Sequence, residues 1–248
     1  MHLNIRNWSL NNYLLKCSLF NVNPDVILLN EISINNNVIP KIRGYSCCSK
    51  CEERFSGVAI FVKRTYTHTY VEFDHNNILA LKLFTNLGQL YIVTSYTPPR
   101  HNTLPTIQLN NILNKNLPTV ILSDFNAKHP TFDNCNNITQ ANGRGKQLHS
   151  LCNSRNLNYL GPNFKTFRNN LSEGKPDLVL ANNQFQIFQH RISKGGGVGS
   201  DHLPIILEIS IQPIRILCPP KLLVDKLDKV KFKEKLSEDR IDSLDGGS

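Results

Sequence analysis

No apolar stretch in this 248-residue chain approaches the roughly 20 residues that a membrane-spanning helix needs. A basic-then-apolar signal pattern is also missing, because Met1-His2-Leu3-Asn4 runs straight into a mixed segment. The expectation from these two absences is an intracellular protein with no membrane partner. Internal repeats are missing too, which excludes solenoid and propeller arrays. The seven cysteines are an odd number, which argues against a complete disulfide framework. Cys47, Cys48 and Cys51 stand together, but no second pair of zinc ligands follows at suitable spacing, so they are expected to be buried or incidental thiols.

Acidic residues are in short supply, 19 against 28 Lys and Arg, for a net charge of +9. The basic residues are spread along the chain. A basic folded domain suits a polyanionic partner, since neutralising phosphates releases counterions, although charge alone serves solubility equally well. The length suffices for one large α/β domain or two small ones.

What is present is a mixture of strand and helix signals. Met1 to Trp8 alternates apolar and polar residues, and an amphipathic helix follows through Leu15 and Leu19 to the turn Asn23-Pro24. Continuous apolar runs at 25–31, 57–62, 119–123 and 177–181 suit strands covered on both faces. Segments 78–84 and 89–95 flank an Asn/Gly turn of hairpin type. Helices are expected over 104–113 and 145–157, and strands over 185–192 and 203–211. The polar stretch before Gly57 reads as a mobile loop. Paired strands in each half, mixed with helices, favour an α/β fold of two sheets packed face to face with helices outside. Beyond Pro213, Pro219-Pro220 and a charged stretch to Ser248 suggest a division into a domain at 1–211 and a charged linker or tail at 212–248.

Three motifs carry the chemistry. Asn30-Glu31, Ser123-Asp124-Phe125-Asn126 and Ser200-Asp201-His202-Leu203-Pro204 each bring an acid to the end of a strand-like segment. A divalent cation such as Mg²⁺ takes hard oxygen ligands, often one or two carboxylates with water and phosphate. Glu31 is the leading ligand, with Asn4 beside it. Asp124 and Asn126, two residues apart, suit removal of a proton from water and its orientation. His202 suits a phosphate oxygen, Asp177 is its natural orienting partner, and Asp201 is left for the metal side or the leaving oxygen.

Six ordered pieces resemble the endonuclease/exonuclease/phosphatase superfamily: Asn4, Leu28-Leu29-Asn30-Glu31, Tyr96 before Pro98-Pro99, Asp124-Phe125-Asn126, Pro176-Asp177-Leu178 and Ser200-Asp201-His202-Leu203-Pro204. Within it the chain is similar to endonuclease domains of jockey-like non-LTR retrotransposons, on Ala127-Lys128-His129-Pro130 after the Asp-Phe-Asn motif and on Gly143-Arg144-Gly145-Lys146-Gln147-Leu148. Ser123 departs from the glycine often found there. The resemblance implies a four-layer α/β/β/α sandwich of two mixed sheets. It also implies a Mg²⁺-dependent phosphodiesterase, with Mn²⁺ as the alternative ion. The implied act is a nick in double-stranded chromosomal DNA, whose 3′-hydroxyl primes target-primed reverse transcription. A reverse transcriptase domain, element RNA and the nucleus are the implied partners and place. By the same resemblance Glu31, Asn4 and Asp201 fall on the metal side, Asp124 and Asn126 position the water, and Tyr96 and His202 bind the scissile phosphate.

Ser200, Thr166, Arg168 and Lys175 are the expected nucleic-acid contacts, the loop 168–175 entering a DNA groove. Ser200 serves equally as a turn stabiliser and the loop equally as a solvated connection. His129, beside proline, shapes its loop as readily as it touches DNA. The glycine-rich 193–199 lacks the strand and helix setting of a nucleotide loop. Abasic-site repair, phosphoester hydrolysis and a catalytically inactive DNA-binding remnant stand as alternatives.

Overall fold

Side chains alternate along the strands between two faces, and both faces are apolar, so each sheet is covered twice. The computed structural model describes residues 1–34, 38–132 and 141–215. The strands in chain order are β1 His2–Asn4, β2 Val26–Asn30, β3 Tyr45–Lys50, β4 Val58–Lys63, β5 His68–Glu72, β6 Ile78–Thr85 and β7 Gly88–Ser95. They continue as β8 Thr119–Asp124, β9 Asn158–Gly161, β10 Phe167–Arg168, β11 Glu173–Gly174, β12 Asp177–Ala181, β13 His190–Lys194 and β14 Ile205–Ile209. One six-stranded sheet has the order β13-β14-β1-β2-β4-β3, and the other β5-β6-β7-β8-β12-β9. Each is mixed: β1 with β2 and β7 with β8 run parallel, and the remaining pairs run antiparallel. A small hairpin, β10-β11, stands apart.

Three cores separate four layers. Between the sheets lie Leu28, Val58, Ile60 and Val62 from one side and Leu79, Leu81, Ile92, Val120, Leu122 and Val179 from the other. The opposite parity of the first sheet (Leu3, Ile27, Leu29, Phe61) packs under α1, Trp8–Val22, through Trp8, Leu15 and Leu19. The opposite parity of the second (Ala80, Val93, Ile121, Leu178) packs under α2, Thr106–Leu113, and α3, Gly143–Arg155. The result is the expected α/β/β/α sandwich. Among the described residues no helix is long and apolar enough to cross a membrane.

Several elements depart from the sequence reading. The first strand stops at Asn4, because Arg6 takes a positive φ of 60° and Asn7 caps α1 by accepting from the Leu10 amide. The stretch before Gly57, read as a loop, contains β3. It is an edge strand whose residues are mostly half-buried, so no apolar run marks it. Segment 185–192 opens instead as a 3₁₀ turn, Asn183–Ile187, before β13. The Asn182 side chain caps that turn and Phe185 drops into the inter-sheet core, so local capping outweighs strand propensity. Residues 212–214 continue along the second sheet: Asn86 donates its amide to the Gln212 carbonyl at 3.0 Å, and Ile214 donates to Phe84 at 2.9 Å. The expected tail at 216–248 lies outside the described residues.

Candidate active site

The strand parity that fills the inter-sheet core also builds the site. Beyond the last apolar residues at one end of the sandwich, the same face carries Asn4 on β1, Asn30 on β2, Asp124 on β8 and Asp177 on β12. Asp124 and Asp177 are direct cross-strand partners. The His202 loop arrives beside them because β14 pairs antiparallel with β1, His2 opposite Ile205. A cavity of about 740 Å³ opens here, lined among others by Asn4, Glu31, Tyr96, Asp124, Asn126 and His202.

Asp177 and His202 form a close pair, with Nδ1 at 2.8 Å from Oδ2. The same carboxylate oxygen accepts from the Thr166 hydroxyl at 2.6 Å. His202 Nε2 lies 4.0 Å from Asp124 Oδ2, and Phe167 packs edge-on against the imidazole at 5.1 Å. Burial works against the His202 cation, but Asp177, by charge and hydrogen bond, carries its pKa up to about 9. Burial likewise opposes ionisation of Asp177, yet the His202 charge and hydrogen bond hold it below the usual carboxylate range. Asp124 moves the other way: burial, then the charge of Asp177, raises it.

Asn4 donates through Nδ2 to Asp124 Oδ2 at 2.9 Å and to Glu31 Oε2 at 3.1 Å. Tyr96 donates its hydroxyl to that Glu31 oxygen at 2.7 Å. Burial and the Glu31 carboxylate push the Tyr96 phenol up, so it stays a donor. Asn126, which lines the pocket, donates its amide N–H to Asp124 Oδ1 at 3.0 Å and its side-chain Nδ2 to the Thr97 carbonyl at 3.1 Å. Glu31 (φ 53°) and Asn126 (φ 47°) both sit in the left-handed region, as does Arg6 on the same rim. Non-glycine residues hold that conformation at a cost, and sites of chemistry are where it collects.

The sequence-predicted residues thus divide. Glu31, Asn4, Tyr96, Asp124, Asn126, Asp177 and His202 come together. Asp201 lines the same pocket but accepts from Arg6 Nη1 through Oδ2 at 2.7 Å, leaving Oδ1 buried and without a partner among the described residues. Tyr96, expected on phosphate, spends its hydrogen on Glu31. Thr166, expected on DNA, is fully buried with its hydroxyl on Asp177, so it backs the acid and cannot reach a phosphate. Ser200 donates to the Asn4 carbonyl at 2.8 Å and accepts the His202 amide at 3.1 Å, which makes it a tie between β1 and the His202 loop. Lys175 donates Nζ to the Phe132 carbonyl at 2.8 Å and lies over the Tyr159 ring. Arg168 is exposed on the hairpin, its backbone amide bound to the Asp201 carbonyl at 2.9 Å. Ser172, Glu173, Gly174 and Lys175 of that hairpin line the pocket.

Two residues had no role in the sequence reading. Arg6 shows no motif signal. Arg144 lay in a quoted motif; its Nη1 donates to the Pro98, Pro99 and His101 carbonyls at 3.0, 3.1 and 3.0 Å and fixes the loop after Tyr96. Asp124, Asp177 and His202 each offer an atom within 4.8 Å of the others and have the donor chemistry of a metal site. His202 Nδ1 and Asp177 Oδ2 are already joined to each other, however, and Glu31 Oε1 is the carboxylate oxygen left open on the pocket side.

This two-sheet architecture, with its polar cluster at one end of the sandwich, is the fold of the endonuclease/exonuclease/phosphatase superfamily. It matches the APE2 catalytic domain of Xenopus laevis with a TM-score of 0.69 at 18% identity, over 88% of this chain and 93% of that one. It matches the endonuclease domain of TRAS1, a telomere-specific non-LTR retrotransposon, with a TM-score of 0.66 at 18% identity, over 84% of this chain and 96% of that one. A family model described as endonuclease-reverse transcriptase matches residues 90–206. The chain resembles the endonuclease domains of non-LTR retrotransposons. A probable RNA-directed DNA polymerase from transposon BS of Drosophila melanogaster is 24% identical over 223 residues, 86% of this chain. The chain spans about a quarter of that polymerase, 24% of its length.

Proposed function

We propose that this chain is a divalent-metal-dependent endonuclease that nicks double-stranded DNA and leaves a 3′-hydroxyl for reverse transcription. One observation carries the reading: Glu31, Asp124 and the His202–Asp177 pair, far apart in sequence, meet in one pocket across two sheets. The fold and the transposon relative support the substrate class.

Asp124 takes the proton of the attacking water. Its raised pKa places it closer to neutral pH, where a general base works best, and Asn126 Oδ1 orients the same water. The water oxygen forms the new P–O bond, the P–O3′ bond breaks, and solvent protonates the departing 3′ oxygen. His202, kept cationic and aimed by Asp177, presents Nε2–H to a non-bridging phosphate oxygen as charge develops there. Tyr96 and Asn4 hold Glu31 Oε2, so Oε1 stays directed into the pocket.

The donor set fits a hard cation: among the described residues Glu31 Oε1 accepts no hydrogen bond and the buried Asp201 Oδ1 has no partner. Glu31 would hold Mg²⁺ or Mn²⁺, with Asp201 available once Arg6 turns to phosphate, and the ion would supply charge for the reacting phosphodiester. The exposed Arg168 and the pocket-lining Arg6, Lys128 and Lys165 suit the DNA backbone. In this reading the nuclease runs through Arg215, which the sheet pairing of 212–215 includes, and the segment beyond it is a linker toward a polymerase domain, with element RNA and the nucleus as its setting.

The test is nicking of supercoiled plasmid, with and without chelator, by the native chain and by Glu31→Gln and His202→Ala. Nicked circles that vanish with chelator and fall at least about 100-fold in both variants are expected. Cleavage confined to an abasic duplex would place the chain with repair enzymes instead. Unchanged nicking by His202→Ala would overturn the reading.

A further inference from the structure

His2 lies directly behind the pair that the mechanism uses. Its ring is fully buried on the inter-sheet face of β1. Nε2 is 2.9 Å from Asn30 Oδ1. That amide cannot be reversed, because the Asp124 backbone N–H also needs Oδ1 as an acceptor, at 2.8 Å, while Asn30 Nδ2 donates to Thr94 Oγ1. His2 therefore carries its hydrogen on Nε2. The other nitrogen, Nδ1, lies 3.8 Å from Asp177 Oδ1, and both atoms are buried without any hydrogen-bond partner.

Two unpartnered polar atoms facing each other under a catalytic centre are uncommon, since a buried acceptor left without a donor loses the hydrogen bonds it had in water. All the donors of the Asp177 side chain sit on the opposite oxygen, Oδ2, which takes Thr166 and His202. A donor in place of His2 Nδ1 would draw the carboxylate toward Oδ1 and slacken its hold on His202. The 3.8 Å between Nδ1 and Asp177 Oδ1 is too long for a hydrogen bond, in keeping with a bare nitrogen at that position.

We propose that His2 is a positioning residue: its hydrogen-free Nδ1, fixed through Asn30, denies Asp177 Oδ1 a donor and so directs that carboxylate to His202. The role rests on the nuclease reading, but its geometry does not. Asn30 Oδ1, which also accepts the Asp124 backbone N–H, is what fixes the tautomer of the ring.

The test compares native chain, His2→Gln and His2→Phe by plasmid nicking kinetics and by the low-field NMR resonance of the His202 Nδ1 proton. His2→Gln can still bind Asn30, or can turn an amide N–H onto Asp177 Oδ1. His2→Phe keeps the ring volume and removes both nitrogens, leaving Oδ1 without a donor. The expected result for His2→Gln is a kcat loss of about 10-fold with KM changed less than about two-fold, and an upfield move of the His202 resonance as its hydrogen bond lengthens. His2→Phe is expected to melt lower while keeping that resonance and kcat within about three-fold of native. A folded His2→Gln with unmoved resonance and kcat would overturn the proposal. So would His2→Phe losing the resonance more than His2→Gln. Should His2→Phe fail to fold, His2→Gln alone decides. A native chain that shows the resonance but does not nick would sink the nuclease reading and leave the positioning claim to the NMR.

Discussion

His202 Nδ1 and Asp177 Oδ2 stand 2.8 Å apart inside the protein, and the contact moves the proton affinity of both groups. The imidazolium is favoured up to about 9, against an ordinary 6.5. Its contribution to stability is therefore complete below 6.5 and is lost as pH rises through about 9. Asp177, held below its ordinary 3.8, contributes above that value and loses the contribution as pH falls through its folded pKa. Thermal melts of the native chain and His202→Gln should differ by on the order of 2 kcal/mol near pH 6 and converge above about pH 9. A gap that stays constant over this range would mean that the pair is not ionised.

Rate should follow a bell. Asp124 must lose its proton, and its raised pKa puts the ascending limb above the ordinary carboxylate range. His202 must keep its proton, which sets the descending limb near 9. Asp124→Asn should lower kcat by about 10²–10⁴-fold and leave DNA affinity within a few-fold. Filter binding beside single-turnover cleavage separates the two quantities.

Gly145, on the first turn of α3, has no room for a side chain. A Cβ there would lie 1.9 Å from the Lys128 carbonyl oxygen, on the loop that follows Asn126. Gly145→Ala should destabilise by about 1–3 kcal/mol and slow nicking as the loop shifts, while Gly143→Ala, with open space around it, should do neither. Equal melting temperatures for the two variants would contradict this packing.

Arg168 is exposed on the hairpin opposite Glu173, whose carboxylate is paired with Lys165, so on the proposed reading its charge is available to DNA. Arg168→Ala should weaken binding across unrelated sequences and reduce the slope of log K against log salt by about 1. An unchanged slope would remove this residue from the backbone contacts.

Much of the site was legible because strand-end acids interrupt long apolar runs. Glu31, Asp124 and Asp177 each end or begin a stretch that must be buried, so the sequence marks their position and the β period marks their face. Thr166 was misplaced for the opposite reason. It precedes a polar hairpin, and nothing local shows that its hydroxyl turns back to an acid eleven residues on. Tyr96 joins the expected pocket, but its hydroxyl rests on Glu31, a contact 65 residues away in sequence that nothing local marks. β3 was hidden by its edge position, where Ser46, Ser49 and Lys50 are tolerated. His2 gave no signal at all, because a buried histidine on a short strand looks like any other until its neighbours are known.

The amide of Asn4 reaches from one sheet to an acid of the other, and β1 itself is flanked by β2 and by β14, near the opposite end of the chain. A ribosome must therefore finish residues beyond 205 before the amino-terminal strand has both neighbours. A nascent copy, or one whose two sheets have come apart, holds Asn4 and Asp124 in separate pieces and has no assembled pocket, so any chemistry of this site waits for β14.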